Sequence, residues 1–454
     1  MREYQQAVEY EEELLFEFLK AEDIDSFRKV FTNLYPFDQA KWFIKLEKED
    51  RLRLYEYLSP EEMAAVFENI EEDSEDYKEF LSEMDQVYAA QMLEQMYADD
   101  AVDVLNELDQ QEAQGYLNLM EDQAAKEIRN LLNYEAYTAG SIMTTELVAV
   151  YPHQTVKKVL QLLKKEAPNA ETIYYTYVVD EQRRLAGVIT LRDLIVSDDH
   201  DLIAEVMNKR VYSVTVDEDQ EEVARKMKNY NFMAVPVIDH DDHLVGIITI
   251  DDIVDVIHEE ATDDYSKFAA VSDEEWTESG FFSSARRRLP WLFVLLLLGM
   301  ATAAMVSLFE QSLKQITLLF IFVPLVAGMA GNSGIQSLAV AVRKIAAGKE
   351  EDAILKNVMK EAGTAVFTGT ATGLIACLII FIWKGSFILG ILVGLSILLA
   401  LLVSTISGAL IPSVMNRLKL DPAFASGPFI TALNDFISIL IYLALAVLFT
   451  GKLL

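Results

Sequence analysis

Five apolar stretches in the second half of this chain are too long to be the strands or helices of an ordinary soluble core. A helix needs about 20 predominantly apolar residues to cross the hydrocarbon of a bilayer. Residues 289–309 (LPWLFVLLLLGMATAAMVSLF), 316–341, 363–383, 386–415 and 429–449 all qualify. Backbone in lipid must satisfy its own hydrogen bonds, so each stretch is expected as a helix and residues 285–454 as an all-α, five-span membrane domain. Basic residues set the orientation. With the N-terminus inside, the inner segments carry Arg286, Arg287, Arg288, Arg343, Lys344, Lys349, Lys356, Lys360, Arg417 and Lys419, and the outer ones Lys314, Lys384 and Lys452. Ten against three argues for a cytoplasmic N-terminus and a C-terminus outside. The opening MREYQQAVEYEEELL has no signal-peptide apolar region, so the later segments must direct insertion.

Charge divides the chain at the same place. Of its 454 residues, those from Ala285 onward hold 7 acidic and 13 basic side chains, and the first 284 hold 65 acidic and 25 basic. So acidic a front repels nucleic acid and anionic lipid and attracts cations. The single cysteine, Cys377, excludes an intrachain disulfide and suits a cytosolic front.

Asp435 lies inside the last span, ITALNDFISILIYLALAVLF. A carboxylate at membrane depth costs several kcal/mol unless it meets water, a cation or a partner, and these spans offer it no lysine or arginine. An ion pathway is one reading; a protonated aspartate bonded to a neighbouring helix is the other. The second span, FVPLVAGMAGNSGIQSLAV, contains Pro324, Gly328, Gly331 and Gly334. These residues either turn backbone carbonyls toward a cavity or let helices approach closely. Gly427 and Pro428 similarly interrupt DPAFASGPFITALND ahead of Asp435. Oxygen donors without sulfur or imidazole suit a hard cation, and one carboxylate per chain suits a site shared by two chains or an ion that keeps its water, as magnesium does.

The front contains a tandem repeat. IMTTELVAVYPHQTVK (142–157) and VMNKRVYSVTVDEDQE (206–221) are alike, and each leads through a helical stretch and a β-branched strand to LAGVITLRDLI (185–195) or LVGIITIDDIV (244–254). Small α/β modules are expected. The shared ending, with Thr190 and Asp193 in one copy and Thr249 and Asp252 in the other, resembles the paired cystathionine-β-synthase (CBS) module. That resemblance implies contacts to the ribose and phosphates of ATP or another adenine nucleotide; Thr as a helix cap with Asp in its first turn is the structural alternative. Residues 1–135 read as helical throughout, with a unit of period near 12 from Ala90 onward (Ala90, Ala101, Ala113, Ala124 or Ala125), as in short helices stacked into a superhelix. His240-Asp241-Asp242-His243 reads as a solvated turn between strands.

The order of acidic helical domain (1–135), CBS pair (136–262), connecting helix (263–284) and five spans (285–454) resembles the MgtE-type magnesium transporter family over essentially the whole chain. PLVAGMAGNSGIQS and DPAFASGPFITALND carry the resemblance most specifically. It implies a plasma-membrane homodimer with a magnesium pore on the dimer axis. Asp435 would be the central ligand, with backbone oxygens around Gly328 and Gly331, and Gly427 and Thr431 nearby. Gly427 departs from members that place a side-chain amide there. Three acidic groups fit a magnesium sensor: Asp99, Asp100 and Asp103; Asp217, Asp219 and Glu221; and Asp251, Asp252, Asp255, Glu259, Glu260, Asp263 and Asp264. Spacings of three and four place Asp255, Glu259 and Asp263 on one helix face, where like charges repel unless a divalent ion neutralises them. The resemblance further implies that bound magnesium compacts the front and holds the connecting helix as a plug over the pore. A solvated acidic surface is the plain alternative. No ATPase, protease or other catalytic motif is present, so the chain reads as a transporter rather than an enzyme; a nucleotide-sensing membrane receptor or scaffold without transport is the competing class.

Overall fold

The computed structural model describes residues 2–70, 77–168, 170–269, 281–313, 317–346, 354–418 and 427–453. They divide into two units, Met1–Glu260 and Ala261–Leu454.

The first unit opens with short helices at a fixed interval. Helices begin at Ile24, Pro36, Lys48 and Pro60, and again at Gln86, Ala98, Gln110 and Asp122, twelve residues apart within each series. The repeat expected from Ala90 therefore reaches back to Ile24. Counted from each helix start, buried Ala40 and Ala64 stand where Ala90 does, and Trp42, Phe43 and Phe67 stand where the downstream copies bury Met92, Leu93 and Leu105. The upstream copies escape notice in the sequence because the helices from Ile24 and Lys48 carry no alanine. Asp23, Ser59, Asp85 and Asp109 each cap a helix by accepting from a first-turn backbone N–H, and Ser59 with Glu62 does so reciprocally. Helices this short are marginal alone. Burial of side chains such as Trp42 and Phe43, with Phe43 edge-on to Phe80 at 5.0 Å, holds them together.

Two copies of one small sheet follow. Strands β1 (Ala149–Val150), β2 (Tyr175–Val179) and β3 (Leu185–Thr190) form the first, and β4 (Val214–Thr215), β5 (Ala234–Ile238) and β6 (Leu244–Thr249) the second. In each, the first two strands are parallel and the last two antiparallel. The helices Val156–Glu166 and Gln220–Tyr230 make the crossovers that parallel pairs require. Tyr175 pairs with Thr190 and Ala234 with Thr249, so the registers repeat at the 59-residue offset seen in the sequence. His243 lies at the hairpin turn, its Nδ1 2.9 Å from Asp239 Oδ2.

Among the described residues the second unit contains five helices long and apolar enough to cross a membrane: Phe281–Leu313, Val323–Ala346 (after a 3-10 turn, Thr317–Phe322), Ile354–Lys384, Phe387–Arg417 and Gly427–Leu453. Pro324 stands at the second position of its helix, where a missing N–H costs nothing. That helix runs unbroken through Gly328, Gly331 and Gly334. The irregular backbone expected there is confined to the 3-10 turn, whose Leu319 carbonyl accepts from the Tyr442 hydroxyl at 2.7 Å. Gly331 and Gly334 provide close approach, to the Thr431 methyl and the Asn434 amide, whereas Gly328 has nothing within 4 Å. The third and fourth membrane helices use glycine in the same way. A β-carbon at Gly373 would lie 2.5 Å from the Gly394 carbonyl oxygen, and one at Gly394 2.5 Å from that of Gly373. Leu392, Val393, Ile397, Tyr442 and Leu443 centre the apolar core. Of the expected connecting helix 263–284, the helix Ile250–Ala269 contains the beginning and Phe281–Leu313 the end; 270–280 lie outside the described residues.

Candidate functional site

Asp435 is half-buried, about 12 Å along its helix from Gly427 at 1.5 Å per residue. A β-carbon at Gly331 would lie 3.6 Å from Asp435 Oδ1 and 3.1 Å from the Thr431 methyl. The fold thus brings Asp435, Thr431 and Gly331 together, with the carboxylate against bare backbone. Among the described residues no cationic side chain lies within ion-pair distance of Asp435. Gly328, three residues before Gly331, faces open space. Gly328 and Gly331 sit in an unbroken helix, so any carbonyl they offer an ion is one already within the helical ladder. Gly427 is not beside the carboxylate: a β-carbon there would meet the Phe268 carbonyl at 3.4 Å, and its own carbonyl accepts from Thr431 Oγ1 at 2.8 Å.

Three polar residues of these helices were not singled out from the sequence. Asn332 and Gln336 are exposed, and their spacing of four puts them on the face of Gly328. Two amides within an apolar span were the available signal. Asn434 is fully buried, and neither atom of its amide has a hydrogen-bond partner among the described residues.

In the first unit, Asp99 and Asp100 open the helix Ala98–Asn106. Burial, then Asp100 and Asp252, raise the Asp99 carboxyl far above its ordinary range. Burial, then Glu68 and Asp103, push Asp100 up to about 8. Burial and Asp252 push Glu171 to about 8 as well. Asp99 Oδ1 and Glu171 Oε2 are both buried without a hydrogen-bond partner among the described residues. Burial also raises Glu68, against the stabilising Tyr97 N–H at 3.0 Å. The first acidic group and Asp252 of the third therefore meet, joined by Glu68, Glu146 and Glu171, which single-sequence spacing gave no reason to connect.

The other acidic residues are used differently. Asp219 caps the helix Gln220–Tyr230, accepting from the N–H groups of Glu221 at 3.0 Å and Glu222 at 3.2 Å. Asp217 is exposed, and a hydrogen bond from Thr215 holds it below the usual carboxylate range. Buried Gln220 donates to Glu260 Oε1 at 2.8 Å and reaches Glu259 Oε2 at 3.5 Å, tying the second group to the third. Asp103, Glu221, Asp251, Asp255 and Glu259 are exposed. Asp263, ion-paired with Lys267, and Asp264 belong to the second unit. Among the described residues no three His, Cys, Asp or Glu side chains converge tightly enough to hold a bare metal ion. The all-oxygen donor set, with two buried oxygens lacking partners, fits a hard cation that retains water.

Thr190 and Asp193 form a reciprocal cap: the Thr hydroxyl donates to Asp193 Oδ2 at 2.6 Å and accepts from the Asp193 N–H at 3.1 Å. Thr249 donates to Asp252 Oδ2 at 2.6 Å in the same way.

Comparison with known proteins agrees with this architecture. A family model described as a divalent cation transporter, MgtE, matches residues 323–445; the MgtE intracellular N domain matches 34–137, and the CBS domain matches 139–198 and 203–259. The magnesium transporter MgtE of Enterococcus faecalis is 48% identical over 445 residues, 98% of each chain. This chain belongs to the MgtE family. The magnesium transporter MgtE of Bacillus subtilis is 39% identical over 433 residues, 95% of each chain. That of Thermus thermophilus is 41% identical over 319 residues, 70% of this chain and 71% of the relative. The crystal structure of the soluble part of a magnesium transporter is 51% identical, with a TM-score of 0.55 over 56% of this chain and 99% of that one. The cytosolic domain of the Mg2+ channel MgtE in complex with ATP is 39% identical, with a TM-score of 0.50 over 53% of this chain and 98% of that one. MgtE membership places the chain among membrane transporters and not among enzymes.

Proposed function

We propose that this chain carries magnesium into the cell across the plasma membrane, as a homodimer whose pore lies on the two-fold axis, with the N-terminus inside and the C-terminus outside. The observation that carries the reading is the half-buried Asp435 carboxylate against Gly331, with no cationic partner among the described residues. Such a group is stable at membrane depth beside water and a cation. One carboxylate from each of two chains would hold a hydrated ion from both sides, with Thr431 beside it and the open helix face of Gly328, Asn332 and Gln336 offering further oxygens. An inward electrical potential favours entry by about 2.3 kcal/mol per charge per 100 mV.

Regulation follows from the front. Magnesium binding among Asp99, Asp100, Glu68, Glu171 and Asp252 relieves the repulsion of buried carboxylates and draws the 1–135 and 136–262 domains together. The carboxylates at Asp217, Asp219, Glu221 and Asp251 to Asp264 add weaker sites, and the segment 263–284 transmits closure. The ATP complex of a relative supports a nucleotide at the CBS pair. Thr190 and Asp193 suit it better than Thr249 and Asp252, because Asp252 already faces other carboxylates that a phosphate would repel.

Reconstitution in liposomes with an enclosed magnesium indicator tests the pore. Influx in the native chain and its loss in Asp435→Ala are expected; influx unchanged by that substitution ends the assignment. For the gate, proteolysis of the full chain between residues 255 and 290 should slow as magnesium is raised and not with sodium of matched ionic strength. Equal protection by both salts removes the sensor.

A further inference from the structure

The second unit has an apolar groove with the depth of one bilayer leaflet. It lies between the helices Val323–Ala346, Ile354–Lys384 and Phe387–Arg417 and has a volume of about 350 Å³, within the range of small-molecule sites. One wall runs from Thr372 to Trp383, twelve residues, or about 16 Å of helix from first to last. Hydrocarbon about 30 Å thick places one end of that wall at an interface and the other near the midplane. Phe322 and Met329 close one side and Ile397 the other. Thr372, the polar residue of this wall, donates its hydroxyl to the Thr368 carbonyl at 2.8 Å, so it offers an occupant no donor.

The mouth differs from the wall. Trp383 is 60% exposed and edge-on to Phe322 at 6.1 Å. Lys384 Nζ sits 3.9 Å from the centre of the Trp383 ring. Tryptophan and lysine are the residues that seat at headgroup level, the ring in the interface and the amine reaching to phosphate. Among the described residues Lys384 has no carboxylate within ion-pair distance.

We propose that this groove binds one acyl chain of an anionic membrane phospholipid, whose phosphate is taken by Lys384. The positive mouth decides for a phospholipid over a helix of a second copy, which would not answer the charge. The lipid then packs against the helix that carries Gly331 and Asn332, and with the N-terminus inside it belongs to the outer leaflet. The inference rests on the membrane reading and not on transport.

Native mass spectrometry of the detergent-purified full chain tests it, using phosphatidylglycerol and phosphatidylcholine with the same acyl chains. The phosphatidylglycerol adduct should exceed the phosphatidylcholine adduct by about fivefold, the scale of an exposed ion pair, and Lys384→Gln should bring the two to parity. Ala376→Phe fills the groove and Ile379→Gln makes its wall polar, so each should reduce both adducts. Wild-type adducts in both wall variants would overturn the site. Equal retention of the two lipids, unchanged by Lys384→Gln, would overturn the anionic mouth. Disulfide pairing of Ile379→Cys between two chains would assign the groove to a copy-to-copy interface instead. The adduct is read without flux, so failure here and failure of the transport reading are separable.

Discussion

The side-chain amide of Asn434 occupies the space that a β-carbon at position 334 would fill, so Gly334 and Asn434 are a fitted pair at the crossing of two membrane helices. Asn434 immediately precedes Asp435, and the crossing therefore sets where the carboxylate lies against Gly331. Gly334→Ala should overpack this contact at about 1–3 kcal/mol and reduce ion flux. Adding Asn434→Ala should restore both. Asn434→Ala alone should leave stability unchanged or raised, because it removes a buried amide without partners. Thermal melting in detergent and liposome flux on the four proteins form the cycle; a Gly334→Ala protein that melts like the native one refutes the tight fit.

Gly373 and Gly394 present a harder case, since each faces the other's carbonyl instead of a mobile side chain. Either one changed to Ala must separate the third and fourth membrane helices. Melting should fall by more than for Gly334→Ala, and no single second substitution should recover it.

The buried carboxylates predict a pH dependence. Asp99, Asp100, Glu171 and Asp252 all have carboxyls raised above their ordinary range, Asp100 and Glu171 to about 8. Between about pH 4, where the unfolded chain releases these protons, and about pH 8 the folded unit holds more protons than the unfolded one. Stability from these groups is thus complete below that window and lost as pH rises through it. In a chelator, the melting temperature of the first unit should fall from about pH 5 to about pH 9. Magnesium should flatten the slope, and Asp100→Asn should flatten it without magnesium. A melting temperature that rises over this interval contradicts the burial of the cluster.

Arg51 gives a prediction about the fold alone. Its guanidinium donates to Glu83 at 2.6 and 2.9 Å, Glu79 at 2.8 Å and the Leu46 carbonyl at 2.7 Å, above the ring of Phe80. The Glu83 side chain is fully buried. Glu83→Ala strands the buried cation and should cost about 3–5 kcal/mol in urea unfolding of the first unit. Glu79→Ala, at an exposed position, should cost well under half of that.

For Thr190, the cap contributes about 1 kcal/mol to its helix. Thr190→Val should lose that much stability in a melt. If nucleotide binds at this copy, the same change should also weaken ATP binding by calorimetry, whereas a purely structural cap leaves affinity unmoved.

Periodic features were legible in the residues themselves. Five long apolar runs required five membrane helices, because lipid admits few other backbones. The 59-residue recurrence of Thr190 at Thr249 required two similar modules, since equal side-chain patterns bury equal faces. Asp435 announced itself because a lone carboxylate is costly in an apolar run. The twelve-residue helical repeat was legible only where its small residues recur in successive copies, and its copies before Ala90 appeared once the helix starts showed Ala40 and Ala64 in the place of Ala90, with no alanine in the helices from Ile24 and Lys48. What tertiary structure alone decided is which distant residues meet: Glu68, Glu146 and Glu171 with Asp99, Asp100 and Asp252, and Asn434 with Gly334. Local pattern records which face of an element is buried, but pairing across a hundred residues depends on how whole helices and sheets fit, and that fit is set by the summed packing of many side chains rather than by any spacing in the chain.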